Sequence, residues 1–389
     1  MQSYGNLYTP MLDKNFIKSC CYEAAKGKRN RRSVKHFFDH LDKEIDIIVA
    51  MLENDAYYSP KYTSKTINEN SSHKTREIVQ PYFKYEQIVH RMFVEQFKAV
   101  VMHSQIETSC GSIPERGVHF AKRYIEKWIH GYGNKRFYIL KTDIHHFFGS
   151  IDRSILKKKI RAKIRDDRFY TLACRIIDYD ESSVGVPLGF YTSQWFGNFY
   201  LDELDHYILE VLKPQHYLRY ADDMVFFDTS KRKLHKIQKA VAEYMAEKLH
   251  LTMKDNWQVF RFEDKNGEHG RALDFLGFVF HRNRTCIRKS ILRASRRKAY
   301  RIKRKRPTWY SATQMISYLG WYDDTNSYHY FKRYITPSVN IKQLKKVVAK
   351  HSKGEVENGN RMESSQIGHK TGADRHNNVK VMRVSAQRH

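Results

Sequence analysis

Two adjacent carboxylates, Asp222 and Asp223, fall between apolar runs in Tyr217-Leu218-Arg219-Tyr220-Ala221-Asp222-Asp223-Met224-Val225-Phe226-Phe227. The flanking aromatic and branched residues read as two strands, and the acidic pair sits where a hairpin would turn. Upstream, Phe137-Tyr138-Ile139-Leu140-Lys141-Thr142-Asp143 is another strand-like run that ends in an acid. A strand-end aspartate beside a hairpin-tip pair makes one anionic cluster. Three carboxylates within about 4–6 Å raise one another's proton affinity unless cations stand between them. Two divalent ions there suit an in-line phosphoryl displacement, one activating the attacking hydroxyl and both neutralising the phosphoryl oxygens. Hard oxygen ligands point to Mg²⁺. Tyr322-Asp323-Asp324 nearly repeats the acidic pattern, but Thr325-Asn326-Ser327 follows where the second apolar strand should be, so a polar loop is expected there.

The elements that must carry these acids alternate along the chain. Runs at 137–142, 217–220, 224–227 and 273–280 are strand-like, whereas 193–212 and 234–249 are helix-like, which gives an α+β core. Ahead of it, Phe37, Leu41, Ile45, Ile48 and Leu52 recur at helical spacing behind a basic stretch at 26–32. The polar segment 63–74, with Asn-Glu-Asn-Ser-Ser inside it, reads as a loop or linker. Ile88, Met92, Phe93, Phe97 and Val100 then mark a helix, and Gly111, Pro114 and Gly117 punctuate a loop.

Charge says what the molecule meets. The 389 residues carry 70 Lys and Arg against 42 Asp and Glu, 70 − 42 = +28, with 14% aromatic residues. Such an excess on a chain long enough to bury a core points to a folded partner of polyanions. Eleven Lys or Arg and no acid crowd 288–306, where Arg296, Arg297, Lys298, Arg301, Lys303 and Arg304 are interleaved with apolar residues. A basic helix lying along phosphates is expected. No apolar run reaches the roughly 18–20 residues of a membrane span, and the N-terminus lacks a secretory pattern, so an intracellular protein is expected. Five cysteines, odd in number and without a CxxC pair, indicate neither a disulfide framework nor a zinc site, and the adjacent Cys20 and Cys21 read as small buried residues. The last stretch, 351–389, has few apolar anchors and reads as a flexible tail whose His369, Asp374 and His376 form no metal site.

Over about residues 74–345 the chain resembles reverse transcriptases. Lys141-Thr142-Asp143-Ile144-His145-His146-Phe147-Phe148-Gly149-Ser150-Ile151-Asp152 is similar to the family's first palm motif. Gly185-Val186-Pro187-Leu188-Gly189-Phe190-Tyr191-Thr192-Ser193-Gln194 resembles the second, Tyr220-Ala221-Asp222-Asp223 the third, and Asp274-Phe275-Leu276-Gly277-Phe278 the primer-grip hairpin. The resemblance implies a right-hand polymerase fold with fingers, an antiparallel palm sheet with packed helices, and a helical thumb. It divides the chain into an N-terminal helical region (1–72), fingers (73–136), palm (137–287, with a fingers insertion at about 153–186), thumb (288–350) and tail (351–389).

Carried over by position, the resemblance implies that Asp143 and Asp222 bridge two Mg²⁺ ions, with Mn²⁺ as a substitute, that Asp223 completes the acidic tip, and that the Ile144 carbonyl joins them. Phe148 resembles the aromatic gate that excludes a ribonucleotide through its 2′-hydroxyl. Phe147 would point the other way on a strand-like backbone. His145 and His146 read as surface or packing residues. Gly189 is expected to let the backbone approach the incoming nucleotide. Lys254 resembles the lysine that protonates leaving pyrophosphate, and Arg76 with Lys74 is expected to clamp the triphosphate of a dNTP. The basic 288–306 helix would grip the RNA–DNA duplex formed on the template RNA.

Where many family members read Gln-Gly-x-x-x-Ser-Pro, this chain has Leu188-Gly189-Phe190-Tyr191-Thr192-Ser193-Gln194. That variant resembles the reverse transcriptases of diversity-generating retroelements, which copy a template-repeat RNA with frequent errors at adenines. The likeness implies a bacterial or phage-encoded cytoplasmic enzyme, a basic oligomeric accessory variability protein as partner, and no membrane. Two other readings stand beside it. One is a phage-defence reverse transcriptase of the abortive-infection kind, which adjacent template and variable repeats in the DNA would exclude. The other is a non-catalytic RNA-binding scaffold, against which the cost of keeping three clustered carboxylates argues.

Overall fold

The computed structural model of the chain describes residues 3–58, 62–69, 74–323 and 325–352. Asp324 and almost all of the expected tail, including His369, Asp374 and His376, lie outside them. The described residues form two units, those up to Ala121 with Phe137–Phe260, and Lys122–Arg136 with those from Arg261 onward.

In the first unit, the N-terminal apolar spacing produces α1 (Lys14–Ala24), α2 (Arg32–Asp39) and α3 (Leu41–Glu53). Asp13 starts α1 by accepting a hydrogen bond from the Phe16 amide at 2.7 Å. These helices bury Ile17, Cys20, Cys21, Phe37, Ile45, Ile48 and Leu52 in the same core as the helices that follow. Segment 63–74, expected as a loop, is instead mostly strand. β1 (Tyr62–Glu69) pairs antiparallel with β2 (Lys74–Pro81), Tyr62 opposite Pro81 and Glu69 opposite Lys74. Lys65 to Ile67 and Thr75 to Glu77 face solvent on this ribbon, so burial imposes no apolar alternation that a sequence reading could detect.

The expected helix at Ile88 is α4 (Ile88–Ser104). A two-residue β3 (Ser109–Cys110) and α5 (Val118–Tyr132), which leads out of the unit, come next. β4 (Tyr138–Thr142) is followed by α6 (Phe147–Ser150), α7 (Arg153–Lys163), α8 (Asp167–Ile177), α9 (Tyr191–Tyr200) and α10 (Asp202–Tyr207). The unit closes with β5 (His216–Tyr220), β6 (Asp223–Asp228), α11 (Lys231–Leu249) and β7 (Gln258–Arg261). The sheet order is β3-β5-β6-β4-β7, with β3 parallel to β5 and both β4 and β5 antiparallel to β6. Leu234, Ile237, Val241 and Met245 of α11 share the core with Leu140, Tyr217 and Phe226 of the sheet. Phe93 and Phe97 of α4 meet Phe196 of α9 at 5.6 and 5.8 Å, which binds the motif-bearing α9 to the N-terminal half. The acids therefore stand on a sheet braced by buried helices rather than on free loops.

In the second unit, the strand expected over 273–280 divides into β8 (Leu273–Phe275) and β9 (Phe278–Phe280), joined by Leu276 and Gly277 at φ 50 and 82. Two consecutive positive φ values make the tight turn that suits a twisted hairpin. β10 (Thr285–Ile287) pairs on β9. α12 (Lys289–Arg304), α13 (Trp309–Leu319), α14 (Tyr328–Tyr334) and α15 (Ile341–Ser352) follow. The β8–β10 sheet packs with these helices. The Thr285 and Ile287 amides donate to Asn326 Oδ1 and Ser327 Oγ at 2.9 and 3.1 Å, and a Cβ on Gly277 would collide with Trp321 and Ile291 at 2.7 and 2.8 Å.

Candidate active site

Thr142 lies opposite Met224, so the next residue along, Asp143, comes opposite Asp223 at the end of the ladder. β5 and β6 turn through Ala221 and Asp222, with Tyr220 opposite Asp223 and Ala221 at φ 53. Topology alone brings the three acids to one edge: β6 is flanked by β4 on one side and β5 on the other. Burial first, and then the charge of Asp143, pushes the Asp222 carboxyl above the usual carboxylate range. Burial with the charges of Asp222 and Asp143 pushes Asp223 up to about 6. Lys254 and Arg76 oppose the rise at Asp222, and Lys141 and Lys254 oppose it at Asp223.

Lys254 forms an ion pair with Asp143. Backbone pairing sets it there: the His145 amide donates to the Thr252 carbonyl at 2.8 Å, and the Lys254 amide donates to the Asp143 carbonyl at 3.0 Å. In this pattern the Ile144 carbonyl points away from the 252–254 segment and is not consumed by it. As they stand, no three His, Cys, Asp or Glu among the described residues form a group able to hold one ion. The donor chemistry nevertheless fits a hard divalent cation. The side chains gathered here are carboxylates, and the raised proton affinity of Asp222 and Asp223 reflects negative charge that Lys254, Lys141 and Arg76 balance only in part.

Beside the acids, the first motif leaves β4 as a helical turn rather than the extended backbone expected. Phe147 and Phe148 diverge all the same: Phe147 is buried, and Phe148 is half-exposed and lines a cavity of about 730 Å³. Leu188, Gly189, Gln194 and Arg31 share that cavity. Phe148 is tied to the second motif, because the Val186 amide donates to the Phe148 carbonyl at 2.8 Å. Gly189 has φ 117, and a Cβ there would lie 2.2 Å from the Val79 carbonyl oxygen of β2. Its expected role in approaching a nucleotide is thus preceded by a simpler one, since β2 itself passes over it and the Val79 amide donates to the Leu188 carbonyl at 2.7 Å. Arg76 is exposed on β2 and its charge reaches Asp222. Lys74 begins the same strand, and its side chain lies outside the described residues. His145 and His146 are exposed, their rings 4.3 Å apart.

Sequence reasoning missed Lys141, which acts on Asp223, and Arg219 with Asp205, a fully buried pair beneath the acidic turn. A lone arginine inside an apolar strand was the signal for the second. In the other unit, α12 exposes Arg297, Arg301 and Lys303. Arg296 stacks over Tyr334 at 4.2 Å, Lys298 bonds Gln314, and Arg304 lies 5.5 Å from the Tyr300 ring. Asp323 follows a short helical turn rather than a strand, and the Tyr322 hydroxyl bonds Ser295 at 2.7 Å; its neighbour Asp324 lies outside the described residues. All five cysteines are free, and no helix among the described residues is long and apolar enough to cross a membrane.

Residues 67–280 match the reverse transcriptase (RNA-dependent DNA polymerase) family. Protein YkfC of Escherichia coli is 27% identical over 163 residues, 40% of this chain and 42% of that protein. The group II intron-encoded protein LtrA of Lactococcus lactis is 27% identical over 180 residues, 44% of this chain and 29% of that protein. The chain thus spans less than half the length of these curated relatives. The apo telomerase structure of Candida tropicalis aligns with a TM-score of 0.47 at 11% identity, covering 81% of this chain and 59% of that one.

Proposed function

This chain belongs to the reverse transcriptase (RNA-dependent DNA polymerase) family, and we propose that it is the RNA-directed DNA polymerase of a diversity-generating retroelement, copying a template-repeat RNA into cDNA with errors at adenines. The observation that carries the polymerase reading is the meeting of Asp143, Asp222 and Asp223 at the end of one sheet. In this reading 73–136 serve as fingers, 137–287 as palm and 288–350 as thumb.

The residues divide the work. Asp143, Asp222 and Asp223, with the Ile144 carbonyl, hold the metal. Bound there, two Mg²⁺ ions, or Mn²⁺ in their place, supply the positive charge that activates the primer hydroxyl and neutralises the transferring phosphoryl group. Phe148 closes the cavity against a 2′-hydroxyl, so deoxynucleotides are preferred. Arg76, with Lys74 beside it on β2, meets the triphosphate. Lys254 exchanges Asp143 for the departing pyrophosphate and gives it a proton. Arg296, Arg297, Lys298, Arg301, Lys303 and Arg304 follow the phosphates of the RNA–DNA duplex. A basic oligomeric accessory protein, and action in the bacterial cytoplasm, complete the proposal.

Leu188 supports the retroelement assignment. It lines the same cavity as Phe148 and Gln194, where an amide side chain would supply a polar contact to the nascent pair. Less geometric control at that wall permits mispairing. Copying of an RNA template by the purified full chain, followed by sequencing of the cDNA, tests this. Errors concentrated at template adenines that fall at least severalfold in Leu188→Gln support it. An adenine error rate equal to that at other bases, or one unchanged in the variant, overturns it.

A further inference from the structure

Arg219 lies on β5, two residues ahead of the turn residue Ala221, and its side chain and that of Asp205 are both fully buried. Its Nε donates to the two Asp205 oxygens at 2.9 and 3.0 Å, and Nη2 donates to Oδ2 at 2.6 Å. The other N–H groups reach elsewhere. Nη1 donates to Asn198 Oδ1 at 3.1 Å and to the Ala221 carbonyl at 3.0 Å, and Nη2 donates to Ser109 Oγ at 2.8 Å. The Tyr217 hydroxyl adds a bond to Asp205 Oδ1 at 2.7 Å. A buried ion pair is costly to desolvate, and apolar residues of similar volume often serve stability as well, so this pair needs a reason beyond holding the core together.

What it touches supplies the reason. Ala221 has φ 53, a region that the Cβ of alanine disfavours. Both of its backbone polar groups are held: Arg219 binds the carbonyl, and the amide donates to the Cys110 carbonyl at 3.2 Å. The segment bearing Cys110 is fastened to the same hub. Cys110 pairs with Tyr220, Asn198 Nδ2 donates to the Gly111 carbonyl at 3.1 Å, and a Cβ on Gly111 would stand 2.9 Å from the Ala221 nitrogen. β3, β5, α9 and α10 all converge on one guanidinium whose donors are fully used.

We propose that Arg219, with Asp205 and Asn198, is a positioning network that holds the Ala221-Asp222 turn in its left-handed form and thereby sets Asp222 and Asp223 for a divalent cation opposite Asp143. Arg219 touches neither substrate nor ion and acts through the turn. The consequence for catalysis rests on the polymerase reading, whereas cation binding can be read without it.

The test uses the full chain. Mn²⁺ binding without substrates is followed by electron paramagnetic resonance, and the Mg²⁺ concentration for half-maximal primer extension is measured alongside. Arg219→Lys keeps the charge but loses the fork that reaches Asp205, Asn198 and Ala221 together. It is expected to weaken Mn²⁺ binding about tenfold and to raise the half-maximal Mg²⁺ by a similar factor, while the KM for dNTP at saturating Mg²⁺ stays as in wild type. Adding Ala221→Gly, which takes positive φ without assistance, is expected to restore part of the Mn²⁺ affinity. If Arg219→Lys melts below the assay temperature, Asn198→Ala carries the same test with a smaller shift in the same direction. Wild-type Mn²⁺ affinity and Mg²⁺ dependence in a folded variant, even with lowered turnover, would overturn the proposal. A wild-type chain that binds Mn²⁺ but extends no primer would count against the polymerase reading and leave the network standing.

Discussion

At the scale of single residues, the site is a balance of charge that fixed groups do not complete. Asp223 is held protonated up to about pH 6 by burial and by Asp222 and Asp143, against an ordinary value of 3.8. Its folded-state proton affinity exceeds its unfolded one, so the stability it contributes is present in full below about pH 4 and lost as pH rises through 6. Thermal melts of the metal-free chain should therefore show Asp223→Asn gaining stability relative to wild type between pH 4 and 7, with added Mg²⁺ narrowing the gap at pH 7. A difference that does not vary with pH contradicts this electrostatic account. Phe148 makes a second prediction at this scale. Phe148→Ala should raise ribonucleotide incorporation at least about tenfold relative to deoxynucleotide, read as the ratio of kcat/KM values in single-nucleotide extension. The acids and the aromatic could be read from the sequence because each is a residue type in a strongly patterned segment. Arg219 stands out only as a lone charge in an apolar strand, and its role is not legible there, since its partners at positions 109, 198 and 205 are brought together only by folding.

At the scale of elements, the strands at 138–142, 216–220 and 223–228 and the helices at 88–104 and 231–249 follow from apolar periodicity, because each buries a face in the core. The β1–β2 ribbon eluded that logic. Its middle is exposed, and it meets the rest of the site through backbone contacts of Val79 with Leu188 and Gly189. Those contacts make Gly189 a structural requirement of the fold. Gly189→Ala would place a Cβ at 2.2 Å from the Val79 oxygen in a backbone region alanine resists, and should cost about 2 kcal/mol or more in denaturant unfolding. Gly149→Ala is the control, since a Cβ there meets nothing within 4 Å, and it should fall within about 0.5 kcal/mol of wild type. Equal losses in the two variants would show that the close approach of β2 is unimportant.

At the scale of the whole molecule, a net charge of +28 and the exposed cations of α12 describe a polyanion-binding chain. If phosphate contacts dominate, affinity for an RNA–DNA duplex should drop about a thousandfold between roughly 50 and 200 mM salt. Replacing Arg297, Arg301 and Lys303 together by Gln should flatten that dependence by about three contacts' worth without changing sequence preference. Affinity insensitive to salt would remove the electrostatic account of duplex binding. The central claim is that the three acids make one polymerase centre, and primer extension on an RNA template with Mg²⁺ and dNTPs tests it most directly. Wild type should extend the primer, and Asp222→Ala, folded and still binding duplex, should lose at least about a thousandfold in rate; equal extension by both proteins would contradict it.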